Sequence, residues 1–384
     1  MSFEFATAGR ILFGEGVVDR VGSLAAGLGT RVLLVGGSSA ARGEPARRSL
    51  AAQGLPVSDF SVTGEPSVET ALQGVQQARD FGADLVIGIG GGSPIDAAKA
   101  IAALLANPED PFEFLEVVGR GRPLTRPALP TIAIPTTAGT GAEVTRNAVL
   151  AAPRQRVKVS LRHASMLPDL ALVDPRLTYD MPRAVTASTG LDALTQCLEP
   201  FVSHLATPLT DGFCREGMAR AARSLLQVCD DGSDIDARRD LALASLCGGL
   251  ALTNAKLGAV HGFAGPVGGM FEAPHGAVCA RLLPHVMEAN VRALQEREPQ
   301  SPAIARYQEV ATILTGQRDA TLADGVAWVQ RLGEQLSVPG LASYGMQESD
   351  LAQVVAKAMP SSSMQGNPIA LTEAELIEVL RRAL

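Results

Sequence analysis

The sequence predicts an α/β domain built on a parallel sheet, followed by an all-α domain. Three observations predict it. Up to about residue 181, short apolar runs alternate with helical windows, the pattern of parallel strands joined by crossover helices. From Pro182 onward that pattern stops, and long Ala- and Leu-rich helical windows take over. The chain has 384 residues, more than one domain of roughly 100–200 residues holds. The expected domains are therefore 1–181 and 182–384.

The elements follow in order. Phe3–Phe13 has strand character and reads as an edge hairpin that pairs with a second subunit, so a homodimer is expected. Arg31–Val35 (RVLLV) reads as a buried strand, Ala46–Ala52 as a helix, Val57–Val62 as a strand and Ser67–Phe81 as a helix. Asp84–Ile89 is the next strand, with a helix from Pro94 to about Ala106. Thr131–Ile134 and Leu170–Val173 are further strands. Beyond the boundary the helical windows are Ala187–Val202, Leu209–Cys229, Ala237–Asn254 and Glu373–Ala383. The most apolar stretch, Leu241–Val260, carries Asn254 and Lys256 and reads as a buried helix, not a membrane span.

Composition narrows the function. At 46% hydrophobic and 19% charged, the chain is globular. Its 33 basic against 40 acidic residues give a net charge of −7, which disfavours nucleic-acid binding. Aromatics at 4% leave few platforms for stacking bases. The five cysteines, Cys197, Cys214, Cys229, Cys247 and Cys279, form no C-x-x-C pair. That argues against a disulfide framework and for a reducing compartment. The start Met1-Ser2-Phe3-Glu4-Phe5 lacks the basic and apolar regions of a signal peptide. A cytoplasmic protein without a membrane partner is expected.

Two loops and one residue set carry chemistry. Strand Asp84–Ile89 runs into Gly88-Ile89-Gly90-Gly91-Gly92-Ser93-Pro94-Ile95-Asp96. Ser93 suits an N-cap and Pro94 a first helical position. Glycines here let backbone N–H groups approach a diphosphate at a positive helix end, and Lys99 one turn on can add charge. A plain tight strand–helix turn is the other reading. After the first strand stands Gly36-Gly37-Ser38-Ser39, without the G-x-G-x-x-G fingerprint. After Thr131–Ile134 comes Pro135-Thr136-Thr137-Ala138-Gly139-Thr140-Gly141-Ala142-Glu143. Hydroxyls and glycines at a strand end suit phosphate, ribose or amide contacts, or form an ordinary loop of Thr turns. In the helical half, His261 and His275 each precede a glycine. Asp192 sits in Thr189-Gly190-Leu191-Asp192, near a helix start, with Gln196 on the same face. An Asp and two His form a donor set for Zn²⁺ or Fe²⁺. Alternatively Asp192 complements a helix dipole, and the histidines act in acid/base and positioning roles.

Six segments in this order resemble the iron-containing (group III) alcohol dehydrogenase family over nearly the whole chain. They are GGGSPIDAAK (Gly90–Lys99), PTTAGTGAEVT (Pro135–Thr145), VDPRLT (Val173–Thr178), TGLDALT (Thr189–Thr195), AVHGFA (Ala259–Ala264) and APHG (Ala273–Gly276). The resemblance implies a nucleotide-binding α/β domain, a helical metal domain, substrate in the cleft between them, and NAD(P)-dependent interconversion of an alcohol and its aldehyde or ketone. It places the diphosphate on Gly90, Gly91, Gly92 and Ser93, lines the cofactor with Asp96, Lys99, Thr136, Thr137 and Thr140, and gives the metal to Asp192, His261 and His275. The chain departs from the family at Gln196, where a ligand histidine is usual, and at Gly265, where a further histidine is common. It departs again at Ala142, where serine is usual, and at Gly37, where many members carry an acid that reads the ribose. Gln196 on the Asp192 face is a candidate amide-oxygen ligand, and zinc is expected over iron. Gly37 removes a carboxylate that would repel a 2′-phosphate, while Ser38, Ser39 and Arg42 can bind one, so NADP is expected to be accepted beside NAD. Related readings are a maleylacetate-type reductase without essential metal, with Arg162, Lys256 and Arg281 as carboxylate binders, a dehydroquinate synthase-like lyase, and a non-catalytic scaffold.

Overall fold

A computed structural model describes residues 2–155 and 157–384. The chain divides into two compact units. One holds Ala6–Thr137 and Gly141–Asp180; the other holds residues 2–5, Ala138–Thr140 and Met181–Leu384.

The first unit is an α/β layer structure. Its strands are β1 (Arg10–Phe13), β2 (Val32–Gly36), β3 (Val57–Ser61), β4 (Leu85–Gly90), β5 (Thr131–Pro135), β6 (Asn147–Ala152), β7 (Val157–Arg162) and β8 (Leu170–Val173). Helices α1 (Val21–Ala25), α2 (Glu44–Ala52), α3 (Val68–Phe81) and α4 (Gly92–Ala106) connect them. Six strands form one sheet in the order β1-β8-β5-β4-β2-β3, every pair parallel. The central strands are apolar on both faces because helices cover both sides: every residue of β4 and β5 is buried. The order reverses between β2 and β4, because β2 leads outward to β3 while β4 leads the other way to β5. Such a switch point opens a crevice at the carboxyl ends of the strands.

Three sequence expectations are corrected here. The amino-terminal segment forms a short strand at Arg10–Phe13, parallel to β8 with Leu12 opposite Leu172, not a hairpin. β1 is nevertheless an edge strand. Helix α4 begins at Gly92 with Gly91 as its cap and no side-chain cap, so Ser93 is not the N-cap and Pro94 is not the first helical residue. The cause is the conformation of Gly90. At φ +153° this last residue of β4 takes a conformation that favours glycine, and a Cβ there would lie 2.6 Å from Pro94 Cγ. The third difference is the antiparallel pair β6–β7, which the sequence reading passes over although β7, Val157–Arg162, alternates apolar and polar residues.

The second unit is all helical: α5 (Arg183–Val202), α6 (Pro208–Asp230), α7 (Ile235–Ala255), α8 (Ala259–Phe271), α9 (His275–Arg297), α10 (Pro302–Thr315), α11 (Leu322–Gln335), α12 (Leu351–Ala358) and α13 (Glu373–Ala383). Thr207, Asp234, Ser301, Thr321 and Thr372 cap their helices through side-chain oxygens, each closing an otherwise unpaired amide. α5 is buried along most of its length and lies at the centre, packed on α6, α7 and α9. Among the described residues no single helix is long and apolar enough to cross a membrane. Only α7 and α8 taken together pass, and they are bent by 100° at their junction. Most of α7 is buried in the core.

Candidate metal and nucleotide sites

In the α/β unit, β2, β4 and β5 are neighbours, with Gly36 opposite Ile89 and Gly90 opposite Pro135. The loops that begin at Gly37, Gly91 and Thr136 therefore leave the sheet side by side at its carboxyl edge. The uncapped start of α4 leaves the first backbone N–H groups of the helix without side-chain acceptors, the local geometry of an anion site. Gly91 lies against Thr137, where a Cβ would come 3.3 Å from Thr137 Cγ2. Thr136 is fully buried, its N–H donates to Gly90 O at 2.8 Å, and its Oγ1 has no partner. Gly36 has open space around its Cβ position, and at Gly37 the nearest atom is Pro94 Cγ at 3.8 Å. Gly88 is required for packing, since a Cβ would meet Ala98 Cβ at 2.8 Å.

Lys99 and Asp96 have a specific setting. The buried ammonium of Lys99 donates to Ala142 O and to Thr145 Oγ1, both at 2.9 Å, and pairs with Asp96 Oδ1 at 3.1 Å. Asp96 Oδ2 accepts from Val149 N–H at 3.1 Å. The pair thus ties α4 to the turn at 142–145 and to β6. Beside it lies Glu143, which sequence reasoning did not single out. Burial pushes its carboxyl up to about 7, and its Oε2 is buried without a partner.

In the helical unit, Asp192 lies in the middle of α5, because that helix starts at Arg183. It is not a first-turn carboxylate, which removes the dipole reading. Gln196 and Glu199 follow one and two turns later on the same face. His261 stands in the first turn of α8 and His275 opens α9. His261 Nε2 is 3.3 Å from Asp192 Oδ1, His275 Nε2 is 3.7 Å from the same oxygen, and the two imidazole centroids are 5.4 Å apart. His261 Nε2 and Asp192 Oδ1 are buried and without well-aligned hydrogen-bond partners. Burial pushes the Asp192 carboxyl up, but the charge of His275 and the close polar contacts of His261 and Gln196 outweigh it and hold it below the ordinary range. Gln196 Oε1 is a further buried acceptor without a partner.

Glu199 and Cys279 complete the cluster; sequence reasoning did not name Glu199 and counted Cys279 only among the free cysteines. Glu199 Oε2 accepts from His261 Nδ1 at 2.6 Å, and its Oε1 accepts from Val260 N–H at 2.7 Å. The hydrogen on Nδ1 leaves the Nε2 lone pair free, the usual orienting contact of a metal-binding imidazole. Cys279 sits one turn beyond His275, with its Sγ 3.8 Å from His275 Nε2. Asp192, His261, His275 and Cys279 each offer a donor atom within 4.8 Å of the others. Spacings of four and seven residues from His275 and Asp192 were the available signals. The donor set and the orphaned buried atoms fit a divalent metal ion.

Of the three basic residues considered as carboxylate binders, each is engaged elsewhere. Arg162 pairs with Glu116 at 3.1 Å, Lys256 donates to Gln365 at 2.9 Å, and Arg281 donates to Ala383 O at 2.9 Å.

A parallel sheet with a glycine-rich carboxyl edge, followed by a helical unit with a buried cluster that fits a divalent metal, is an arrangement that known proteins share. Residues 8–175 match the family model "Iron-containing alcohol dehydrogenase", and residues 186–384 match "Fe-containing alcohol dehydrogenase family, C-terminal". The chain belongs to the iron-containing alcohol dehydrogenase family and is an alcohol dehydrogenase-type oxidoreductase. It is 32% identical to alcohol dehydrogenase 4 of Saccharomyces cerevisiae over 88% of this chain and 86% of that protein. It is 33% identical to 1,3-propanediol dehydrogenase of Klebsiella pneumoniae over 86% and 84%. Among solved structures, a 1,3-propanediol oxidoreductase superposes with a TM-score of 0.92 at 30% identity over the full length of both chains. A sulfoacetaldehyde reductase from Bifidobacterium kashiwanohense in complex with NAD+ gives 0.86 at 26% identity, covering 100% of this chain and 99% of that one.

Proposed function

We propose that this chain reduces a small aldehyde or ketone, or oxidises the corresponding alcohol, with NADP(H) accepted as readily as NAD(H) or in preference to it. The observation that carries the cofactor reading is the end of β2. Gly37 places no carboxylate there, and the Cβ positions of Gly36 and Gly37 are clear of close contacts. Ser38, Ser39 and Arg42 are exposed beside it and suit a 2′-phosphate. Residues 1–181 take the dinucleotide: Gly90, Gly91, Gly92 and Ser93 bind the diphosphate, Thr136, Thr137 and Thr140 line the cofactor, and Asp96 and Lys99 brace the loop. Residues 182–384 take the metal and substrate. The relatives named for 1,3-propanediol support a short alcohol or diol.

A divalent metal at Asp192, His261 and His275 supplies a Lewis acid for the substrate oxygen. The chain's own residues do the rest. Glu199 keeps the His261 lone pair aimed, Asp192 supplies negative charge, and the half-exposed His275 leaves one flank through which a substrate oxygen enters. A dinucleotide held by residues 1–181 would supply or accept the hydride at the substrate carbon, with the protein aligning the two. The two histidines and the carboxylate favour zinc over iron, because the usual further imidazole is replaced by Gln196. Five buried free cysteines support a reducing, cytoplasmic setting, and the edge strand β1 supports a homodimer.

The test is a comparison of initial rates with NADPH and NADH on a panel of short aldehydes, for the native protein and for Gly37→Asp. We expect NADPH to serve at least as well as NADH, and the variant to shift toward NADH. A large native preference for NADH refutes the reading of Gly37. Chelation followed by zinc or iron add-back tests the metal, and full activity of metal-free protein refutes its role.

A further inference from the structure

We propose that Cys279 is a protein ligand of the metal, giving this chain an Asp192, His261, His275, Cys279 site in which a thiolate takes the place left open by Gln196. The inference rests on the metal reading above and goes beyond it by adding a ligand and a selectivity.

Geometry is the first argument. For tetrahedral Zn²⁺ with bonds of about 2.0–2.2 Å to nitrogen and oxygen and about 2.3 Å to sulfur, neighbouring N···O donors stand about 3.4 Å apart and N···S donors about 3.6 Å. The observed separations are 3.3 Å for His261–Asp192, 3.7 Å for His275–Asp192 and 3.8 Å for Cys279–His275. Local structure explains the match, because Cys279 is one helical turn after His275 and so shares its face. Two of the other three donor atoms, Asp192 Oδ1 and His261 Nε2, are buried and without hydrogen-bond partners.

Charge is the second argument. Asp192, His261, Cys279 and Gln196 are all buried. Asp192 is the one anionic donor among the other three ligands, and a Cys279 thiolate sets a second negative charge directly on the divalent ion in that buried setting. Binding replaces the thiol hydrogen by metal and releases one proton to solvent, with no change of oxidation state. The neutral amide of Gln196 offers no such charge. Thiolate sulfur also favours zinc over ferrous iron in mononuclear sites. The exposed flank at His275 leaves room for substrate oxygen as a fifth donor, which zinc accepts.

The test uses the whole protein, stripped of metal and loaded with cobalt(II). A thiolate ligand gives a sulfur-to-cobalt charge-transfer band in the near ultraviolet. We expect that band in the native protein, its loss in Cys279→Ser and Cys279→Ala, and its retention in Cys197→Ser, a buried cysteine outside the cluster that donates to Ala244 O. In chelator competition, zinc affinity of the Cys279 variants should fall by roughly tenfold or more, since even an outer-shell contact is worth 10–100-fold. Circular dichroism checks that each variant is folded. Stoichiometric cobalt uptake by the native protein without the band overturns the assignment of Cys279 alone. Failure of the native protein to take up cobalt or zinc overturns the metal reading together with it.

Discussion

Replacing Glu199 by glutamine tests the link between the fold and the chemistry of this site. The carboxylate is buried and accepts from two donors, Val260 N–H at 2.7 Å and His261 Nδ1 at 2.6 Å. An amide of the same shape keeps one acceptor and turns an NH₂ group toward the other donor. If the oxygen stays on Val260, the Nδ1 hydrogen of His261 faces another donor, and the ring regains a partner only by moving its hydrogen to Nε2. That nitrogen is 3.3 Å from Asp192 Oδ1, so the hydrogen would be shared with Asp192 and the metal would lose its lone pair. Loss of an orienting contact of this kind costs about 10–100-fold in metal affinity, or roughly 1.4–2.7 kcal/mol. In the metal-free protein the same shift keeps every donor paired, because Nδ1 accepts from the amide and Nε2–H turns to Asp192 Oδ1, so the fold itself is little affected. The assay is zinc affinity by chelator competition, together with urea unfolding of the stripped protein. We expect Glu199→Gln to bind zinc at least tenfold more weakly while the stripped protein unfolds at nearly the native urea concentration. Zinc affinity within twofold of native would show that Glu199 does not set the tautomer of His261.

Two further predictions complement this one and the Gly37→Asp and Cys279 tests. In Gly258→Ala the new Cβ would lie 2.8 Å from Glu199 Oε1 and 2.9 Å from Asn367 Oδ1, so it should displace Glu199 and weaken zinc binding in the same direction, and unchanged affinity would refute the coupling. Glu143 has its carboxyl raised from 4.5 to about 7 by burial. The neutral form is therefore favoured in the folded state, and stability present below pH 4.5 is lost as pH rises through 7, by about 3 kcal/mol in total. Glu143→Gln removes that slope, so urea unfolding at pH 5 and pH 8 should show the variant gaining on the native protein at the higher pH. Parallel curves would refute it.

The legible parts of the fold are those where one local period decides. β8 and α13 occur where a short apolar run and helical periodicity place them, and β2, β4 and β5 differ by a residue or so at their ends. The start of α4 was misplaced because Ser93 and Pro94 carry ordinary capping preferences, whereas the turn is decided three residues before Ser93, at Gly90, where the backbone lies against Pro94. In the pair β6–β7, the alternation of β7 was legible in the sequence, whereas β6, with its run Asn-Ala-Val-Leu-Ala-Ala, is defined by pairing with β7 and by contacts to α4, which a window of residues does not contain.

The site divides in the same way. Residue types and their order along the chain were enough to determine the two-part architecture, the family, the glycine-rich loop at the end of β4, and Asp192, His261 and His275 as candidates for one centre. These follow from local backbone rules and from rare side chains in distinctive contexts. Only the tertiary structure decided that Asp192 sits mid-helix and buried, that Glu199 aims His261, that Cys279 joins the cluster, and that Lys99 braces the 142–145 turn. The physical reason is that a ligand sphere is a matter of 3–4 Å separations between α5, α8 and α9. Those separations are produced by the packing of helices whose cluster residues are 62 positions apart for Glu199 and His261, and sequence spacing alone does not encode such distances.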